Sequence, residues 1–245
     1  MLAFGVQTLL DAPAQALRVR CQDWKMSWPP KDALAACDRL LADHPDAESN
    51  ALAWRGSAYY RLEDYRRAGA DYAAAIRFDP RDSSSHYNLG LVHEQLGDRE
   101  LAVVDYGAAI ELDQKNVDAF QNRGLIYLDT GQFNQAISDF TQVYELAPTN
   151  VTNLANRGVA YAWKNDRIRA EQDFAAVRKS DPKNLVLLHG EALLALNRGD
   201  MEEGVRLLSE SIALNPKDAW ALSMRAKAYR ILGNGEKTRE NTIAA

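Results

Sequence analysis

The residues best suited to chemistry in this chain are its four histidines, its two cysteines and several recurring pairs of arginine and aspartate. His86 and His93 are seven residues apart, so they share one face of a helix, where two imidazoles could begin a metal site. A metal site also needs further nitrogen, sulfur or oxygen ligands that converge there, and the sequence indicates none. His44 and His189 lie elsewhere. We therefore predict that His86 and His93 pack in the core and that the chain holds no metal.

Sequence signatures of common active sites are also missing. No glycine-rich phosphate loop, Gly-x-Ser-x-Gly nucleophile turn or dinucleotide-binding fingerprint occurs. An enzyme would need a non-repeated cluster of polar residues that converges in a pocket. The sequence therefore predicts no catalytic residue, no cofactor and no enzymatic activity.

Arginine and aspartate recur in pairs separated by 16 residues. The three pairs are Arg55 with Asp71, Arg123 with Asp139, and Arg157 with Asp173. A catalytic group is normally needed once, so this repetition favours a structural role in which each pair bridges two facing helices. Asp105 belongs to the same series but has Leu89 in place of the arginine. The candidate donor for Asp105 is Arg123.

These pairs are one sign of a repeat that organises the chain. Glycine recurs at a constant interval of 34 residues, at Gly56, Gly90, Gly124 and Gly158. In the unit from Val117 to Asn150, numbered 1 to 34, positions 4, 8 and 11 have the spacing of one helix face, and positions 20, 24 and 27 have that of a second. The unit is therefore predicted to be two helices and a turn, which must stack on neighbouring units to bury both faces.

The pattern of large, small, aromatic, small, aromatic and proline residues in this unit resembles the tetratricopeptide repeat. It is carried by Phe120, Gly124, Tyr127, Ala136, Phe140 and Pro148. The resemblance implies an all-α fold, a right-handed α-solenoid of stacked antiparallel helix hairpins. The small residues at positions 8 and 20 are expected to face each other, so that the two helix backbones approach closely.

The repeat divides the chain into three predicted regions. Residues 1–48 form an N-terminal cap and a degenerate first repeat, residues 49–218 form five repeats, and residues 219–245 supply a last helix and a C-terminal capping segment. The five repeats span residues 49–82, 83–116, 117–150, 151–184 and 185–218. Proline near the end of four of them stops the preceding helix. The turns inside the hairpins are marked by Gly97, Gly131, Asn165, Gly199 and Gly233.

Both cysteines fall on facing helices of the degenerate first repeat. Cys21 takes position 8 and Cys37 position 24, where a Cα separation suitable for a disulfide is expected. Two small buried thiols are the alternative. A disulfide favours an oxidising compartment and export, for example to a periplasm, whereas free thiols favour the cytoplasm. Residues 1–16 are interpreted either as a helix that caps the solenoid or as the remnant of an export signal.

The family resemblance also implies a partner-binding surface, because positions 2, 5, 6, 9, 12 and 13 of its repeats line a concave groove. The residues expected to bind a partner there are Asn88, Asn122, Asn156, Tyr87, Gln121, Leu91, Leu125, Leu128, Trp163 and His189. The asparagines at position 6 form a row that could hydrogen-bond the amides of an extended peptide, since each offers a donor and an acceptor. The alternative is that each asparagine bonds across to the next repeat.

Composition narrows the choice of partner. The 245-residue chain has a formal net charge of -5 and no basic stripe, which argues against nucleic acid. It has no run of about 18 apolar residues, so no segment is expected to span a membrane. The leading hypothesis is a non-catalytic adaptor that holds a partner protein or peptide in its groove. The alternative is a structural subunit that self-associates as a homo-oligomer within a larger assembly.

Overall fold

The chain folds into helices joined by short turns, as the repeat pattern predicts. The computed structural model describes residues 12–22, 29–43 and 48–233, and within these ranges it contains the helices α1 to α13 and no strand. The first six helices are α1 (Ala12–Cys21), α2 (Pro30–Asp43), α3 (Glu48–Arg61), α4 (Tyr65–Phe78), α5 (Ser83–Leu96) and α6 (Arg99–Leu112). The others are α7 (Val117–Asp129), α8 (Phe133–Leu146), α9 (Val151–Trp163), α10 (Arg167–Ser180), α11 (Leu185–Asn197), α12 (Met201–Leu214) and α13 (Ala219–Ile231).

The chain divides into two compact units, with the boundary inside α7 between Ala119 and Phe120. In the first unit, α1 packs on α2, α3 on α4, and α5 on α6. In the second unit, α9 packs on α10, α11 on α12, and α13 on α12. Each unit is thus built from consecutive helix hairpins, and the predicted all-α class, the α-solenoid, is confirmed.

The turns inside the hairpins use backbone conformations that favour glycine. Gly97, Gly131 and Gly199 have φ angles of 84°, 76° and 81°, in the left-handed region that glycine enters without steric cost. Asn165 takes the equivalent place before α10, with φ of 58°. Asparagine tolerates this region better than most residues with a side chain. The turns predicted at these residues are therefore confirmed.

The close approach inside each hairpin also makes room for an aromatic ring. The atoms nearest to a Cβ built on Gly56 belong to Tyr72, and those nearest to one on Gly158 belong to Phe174. The glycine at position 8 therefore makes room for the aromatic ring at position 24. In the hairpin of residues 185–218, a Cβ on Gly204 at position 20 would also lie 3.8 Å from the backbone oxygen of Ala192 at position 8, as expected for facing small residues. A Cβ on Gly158 would lie 2.5 Å from the Phe174 ring, so glycine is required there.

The three predicted ion pairs are confirmed. Each arginine donates two hydrogen bonds to its aspartate, with distances from 2.7 to 2.9 Å, in the pairs Arg55–Asp71, Arg123–Asp139 and Arg157–Asp173. The donor proposed for Asp105 is wrong. Its Oδ2 lies 2.6 Å from Nδ1 of His93, because position 11 of the same hairpin reaches the place that the missing arginine leaves.

The predicted disulfide is confirmed in the first unit. Cys21 of α1 and Cys37 of α2 are bonded, with a Cα separation of 4.8 Å, and neither is more than 3% exposed. Ala36, Leu40 and Ala51 pack around them. Trp24 and His44, residues 1–11 and the C-terminal capping segment lie outside the described residues.

Candidate functional site

Most of the residues predicted to line a groove line one of two clefts, one in each unit. Asn88 and Leu91 line the first cleft, of about 290 Å³, in the first unit. The second cleft, of about 480 Å³, lies in the second unit and is lined by Leu125, Leu128, Asn156, Trp163 and His189 from the predicted set. Its other lining residues are Asp129, Gly131, Phe133, Val159, Val186, Leu193 and Trp220. Tyr87, Gln121 and Asn122 line neither cleft.

The second cleft is built from the first helices of consecutive hairpins. The helices α7, α9 and α11 each contribute the aliphatic residue at position 9, which is Leu125, Val159 or Leu193. The repeat brings these three side chains to one cleft because equivalent positions recur on neighbouring helices. Helix α13 adds Trp220. The lining is mostly apolar, as is usual for ligand-binding sites.

Both indole rings of the second cleft are supported by another ring. Trp163, which is 43% exposed, stacks on Phe133 with ring centroids 5.9 Å apart and planes only 2° from parallel. Trp220 contacts the His189 imidazole, with ring centroids 4.5 Å apart. These contacts restrict the rotation of both indoles. The second cleft therefore presents two aromatic surfaces at fixed places.

His189 belongs to a hydrogen-bonded group that holds the start of α13. Its Nε2 lies 2.5 Å from Oδ2 of Asp218 and 3.0 Å from Oγ of Ser211. Asp218 also caps α13 by accepting a hydrogen bond of 3.0 Å from the backbone N–H of Ala221. Burial alone would raise the pKa of the Asp218 carboxyl, but the Ala221 N–H, the charge of His189 and the Ser211 hydroxyl together lower it below its usual range.

This group has the residue types of a catalytic triad without its geometry. In a triad, one imidazole nitrogen faces the serine and the other faces the aspartate. Here both oxygens lie at the same nitrogen, and the Ser211 hydroxyl donates to Asp218 instead of being activated. Ser211 is also fully buried. The arrangement positions Trp220 and the start of α13.

Asn156 is the distinctive polar residue of the second cleft. It is only 7% exposed, and within the described part of the chain its side-chain amide has no hydrogen-bond partner. A bond between neighbouring hairpins is made at position 3 instead, where Nδ2 of Asn153 donates to Oε1 of Gln121 over 2.8 Å. Buried polar groups are normally paired, so an amide left open to a cleft marks a place for a ligand group.

The first cleft is lined by a different set of side chains. It is lined by Trp54, Tyr60, Arg61 and Tyr72 beside Asn88 and Leu91, and Cys21 of the disulfide also contributes. Burial raises the pKa of the Tyr72 phenol to about 12, although a hydrogen bond with Ser57 opposes this. Burial likewise raises the pKa of Tyr60. The guanidinium of Arg18 lies 5.6 Å from the Trp54 ring centroid.

Gly131 and Phe133 line the second cleft although their positions in the repeat did not indicate a groove. Asp129 and Val186 also line it, at positions 13 and 2, which the family resemblance assigns to the groove. Phe133 is the most informative, because its ring fixes Trp163 of the following hairpin. The available signal was an aromatic residue at the start of a second helix, directly after a hairpin turn. Phe133 belongs to neither periodic helix face, so the repeat pattern alone did not identify it.

Neither a metal centre nor a membrane span is found in the part of the chain that the structure describes. No group of three or more histidine, cysteine, aspartate or glutamate side chains is arranged there to hold an ion. None of the helices in the described ranges is both long enough and apolar enough to cross a bilayer.

Comparison with protein families gives two matches. A family model described as TPR repeat matches residues 56–97 and 95–131. A second model, described as Tetratricopeptide repeat, matches residues 117–150. No curated protein matches the chain in sequence.

Several solved structures share the fold. A tetratricopeptide repeat protein from Parabacteroides merdae is 17% identical, with a TM-score of 0.75 over 96% of this chain and 93% of that one. YrrB, a TPR protein with an unusual peptide-binding site, is 19% identical, with a TM-score of 0.66 over 78% and 97%. PilW, a widely conserved type IV pilus biogenesis factor, is 18% identical, with a TM-score of 0.64 over 79% and 90%. At these identities the likeness shows the fold alone.

Proposed function

We propose that this chain, which belongs to the tetratricopeptide repeat family, is a non-catalytic adaptor that binds a segment of a partner protein in its second cleft. The observation that carries the proposal is the combination in one cleft of two supported indoles and the unpartnered amide of Asn156. Aromatic anchors commonly dominate the energy of protein interfaces. A few placed polar groups then fix the orientation of the ligand.

The size of the second cleft supports a peptide segment as ligand. Its volume of about 480 Å³ falls within the range of about 300–1,000 Å³ that is typical of small-ligand pockets, so it accommodates a few side chains. YrrB, whose fold is similar, carries a peptide-binding site of its own. Repeat proteins of stacked hairpins offer extended surfaces for such segments.

The chemistry of the second cleft supports binding over catalysis. The titratable side chains among its lining residues are Asp129 and His189. His189 is already bonded through Nε2 to Asp218 and Ser211, which leaves that nitrogen no freedom to move a proton to or from a ligand. The residues that line the second cleft are therefore sufficient for a binding role.

The disulfide supports a location in an oxidising compartment, where such bonds persist. Intact-mass analysis after alkylation, with and without prior reduction, tests this on protein taken from its native compartment. Alkylation only after reduction is the expected result. Alkylation of both cysteines without prior reduction would instead indicate that the protein resides in a reducing compartment.

The binding proposal is tested by selecting a phage-displayed library of random peptides on the intact chain. Binders are then measured by fluorescence anisotropy on Trp163→Ala, which removes an exposed indole of the second cleft. We expect affinity to fall about tenfold or more, since anchor residues of an interface commonly contribute 2 kcal/mol or above.

Ile168→Ala is the matched control, because Ile168 is 72% exposed on α10 and does not line the second cleft. Its affinity for the selected peptides should equal that of the wild type. Peptides that bind both variants equally well would place the binding surface elsewhere. Self-association that Trp163→Ala abolishes in light scattering would instead identify a second copy of the chain as the occupant.

A further inference from the structure

We propose that the occupant of the second cleft is a proline-rich, uncharged segment in which one non-proline residue pairs with Asn156. The inference rests on the proposed function and adds the class of ligand. It follows from the polar groups that the second cleft offers, from the support of its two indoles and from its charge.

The second cleft offers few polar groups to a bound backbone. The Asn156 amide supplies an NH2 group with two donors and an acceptor oxygen, which have no partner in the described residues. Nε2 of His189 is occupied by Asp218 and Ser211. Most of the remaining lining is aliphatic or aromatic. Trp163 and Trp220 each carry an indole N–H, which can donate to a ligand carbonyl but cannot accept from a ligand N–H. Asp129 already interacts within the chain, so Asn156 is the group best placed to pair both the N–H and the carbonyl of a ligand backbone.

This limit favours a ligand with few backbone N–H groups. Each ordinary residue of an extended segment brings an N–H and a carbonyl, and a buried group that stays unpaired destabilises binding. Proline brings no N–H, so a proline-rich segment leaves fewer donors unpaired. A single non-proline residue among the prolines supplies the N–H that Oδ1 of Asn156 requires.

An α-helical ligand fits this site less well. A helix satisfies its own backbone groups, so its interior presents no free N–H or carbonyl to Asn156. The amide of Asn156 would then be covered by apolar side chains and stay unpaired, which is unfavourable in a buried place. A segment in the polyproline II conformation keeps its backbone groups free for such a contact.

The two indoles suit flat, rigid proline rings. Aromatic-lined grooves are a recurring way to bind polyproline II segments, because the ligand is already ordered before it binds. Trp163 is held by Phe133 and Trp220 by His189, so neither indole must be ordered on binding. This support reduces the entropic cost of association.

The charge of the second cleft matches an uncharged segment. Among its lining residues, Asp129 is the formally charged one when histidine is neutral. Asp129, the last residue of α7, is exposed and already interacts within the chain, so it is not a free partner for a basic ligand. A ligand with several charged residues would therefore have to be desolvated without compensation.

The experiment sequences the peptides selected on the intact chain and measures three synthetic probes by fluorescence anisotropy. One probe consists of repeated Pro-Pro-Leu units, the second has alanine at every proline, and the third is an amphipathic helical peptide of equal length. We expect proline enrichment among the selected peptides. Replacing proline by alanine, or Asn156 by leucine in the chain, should each weaken binding of the first probe about tenfold or more.

Gln172→Leu is the control for Asn156→Leu, because it removes an exposed amide of α10 outside the second cleft, and it should leave affinity unchanged. Circular dichroism checks that Asn156→Leu is folded, and Asn156→Ser gives a second test if it is not. Tight binding of the helical probe, insensitive to Asn156→Leu, would overturn the proline inference and leave the adaptor proposal intact. Failure to select any peptide that depends on Trp163 would overturn both.

Discussion

The two units place aromatic residues of different polarity at the same position of the repeat. In the first unit, Tyr72 and Tyr106 pack against the hairpin glycines, whereas Phe140 and Phe174 do so in the second. A buried phenol needs a hydrogen-bond partner, and Tyr106 accordingly donates to Oε2 of Glu94 over 2.8 Å. Tyr72 lines the first cleft, while neither phenylalanine lines the second.

The same repeated framework thus surrounds two clefts with different side chains. The rings at position 24 pack against the hairpin glycines with or without a hydroxyl, so the fold accepts both. Tyr72 adds a phenol to the lining of the first cleft, whereas the phenylalanines at position 24 do not line the second cleft, whose lining is mainly aliphatic and aromatic. Stability and binding character are thus set by different residues of the same repeat.

The disulfide lies in the first unit, and removing it should produce the largest loss of stability. Within the described part of α1, only Ala14 and Cys21 are buried, so α1 depends on its bond to Cys37. Changing both cysteines to alanine should destabilise the first unit by about 3 kcal/mol, the value expected for a loop of 16 residues.

Hydrogen exchange measured peptide by peptide checks this prediction. Faster exchange in α1, α2 and α3, with α9 to α12 unchanged, is expected. Equal acceleration in both units would show that the disulfide does not act locally.

The second unit should be the more sensitive to added volume at its glycines. A Cβ on Gly190 would lie 2.1 Å from the Phe174 ring, which is itself only 1% exposed. Gly190→Ala should therefore cost about 1–3 kcal/mol through overpacking. In the first unit, a Cβ on Gly69 would meet Val92 at 3.2 Å, a tight contact that a small shift of the valine relieves, so Gly69→Ala should cost less than Gly190→Ala.

Urea denaturation of the two alanine variants makes this comparison directly. A larger shift of the midpoint to lower urea is expected for Gly190→Ala than for Gly69→Ala. Similar midpoints for both would mean that Phe174 can move aside.

The smallest predicted change in stability, of about 1 kcal/mol, is for substitutions of Asp105 and Asp218, each of which forms a hydrogen bond with a histidine. Burial raises the pKa of Asp105 despite its bond to His93. The pKa of Asp218 is lowered, because the Ala221 N–H and His189 outweigh its burial. Asp218 therefore adds stability that is present above the unfolded pKa of about 3.9 and lost as the pH falls through its folded pKa.

For Asp105 the sign is opposite, because its folded pKa lies above the unfolded value. Its contribution is present below about pH 3.9 and is lost as the pH rises through the folded pKa. Relative to the wild type, Asp218→Asn should thus lose stability with rising pH across the acid range, while Asp105→Asn should gain it. Thermal denaturation across this range measures both slopes, and slopes of the same sign would refute the assignment.

The fold could be predicted from the sequence because its determinants are periodic. Positions within one repeat were sufficient to predict three features, namely the turn at Gly97, the ion pair of Arg157 with Asp173 and the disulfide of Cys21 with Cys37. His93 was missed as the partner of Asp105, since the length and direction of a side chain decide which of two nearby positions reaches it.

The candidate site was less predictable because it depends on contacts between repeats. Asn156 and Trp163 were selected by their positions, and the structure places both in the second cleft. The absence of a partner for Asn156 in the described residues, and the support of Trp163 by Phe133, depend on neighbouring hairpins. A repeat pattern describes one hairpin and does not specify such contacts.

Binding of the partner segment in the second cleft is tested most directly by NMR. The indole N–H signals of the ¹⁵N-labelled chain are followed while a selected peptide is added. Trp163 and Trp220 report on the second cleft, and Trp54 reports on the first. Single Trp→Phe variants assign the signals. If the second cleft binds the partner segment, the signals of Trp163 and Trp220 shift in a saturable way and that of Trp54 stays in place. A saturable shift of Trp54 with Trp163 and Trp220 unmoved would contradict the claim and assign binding to the first cleft.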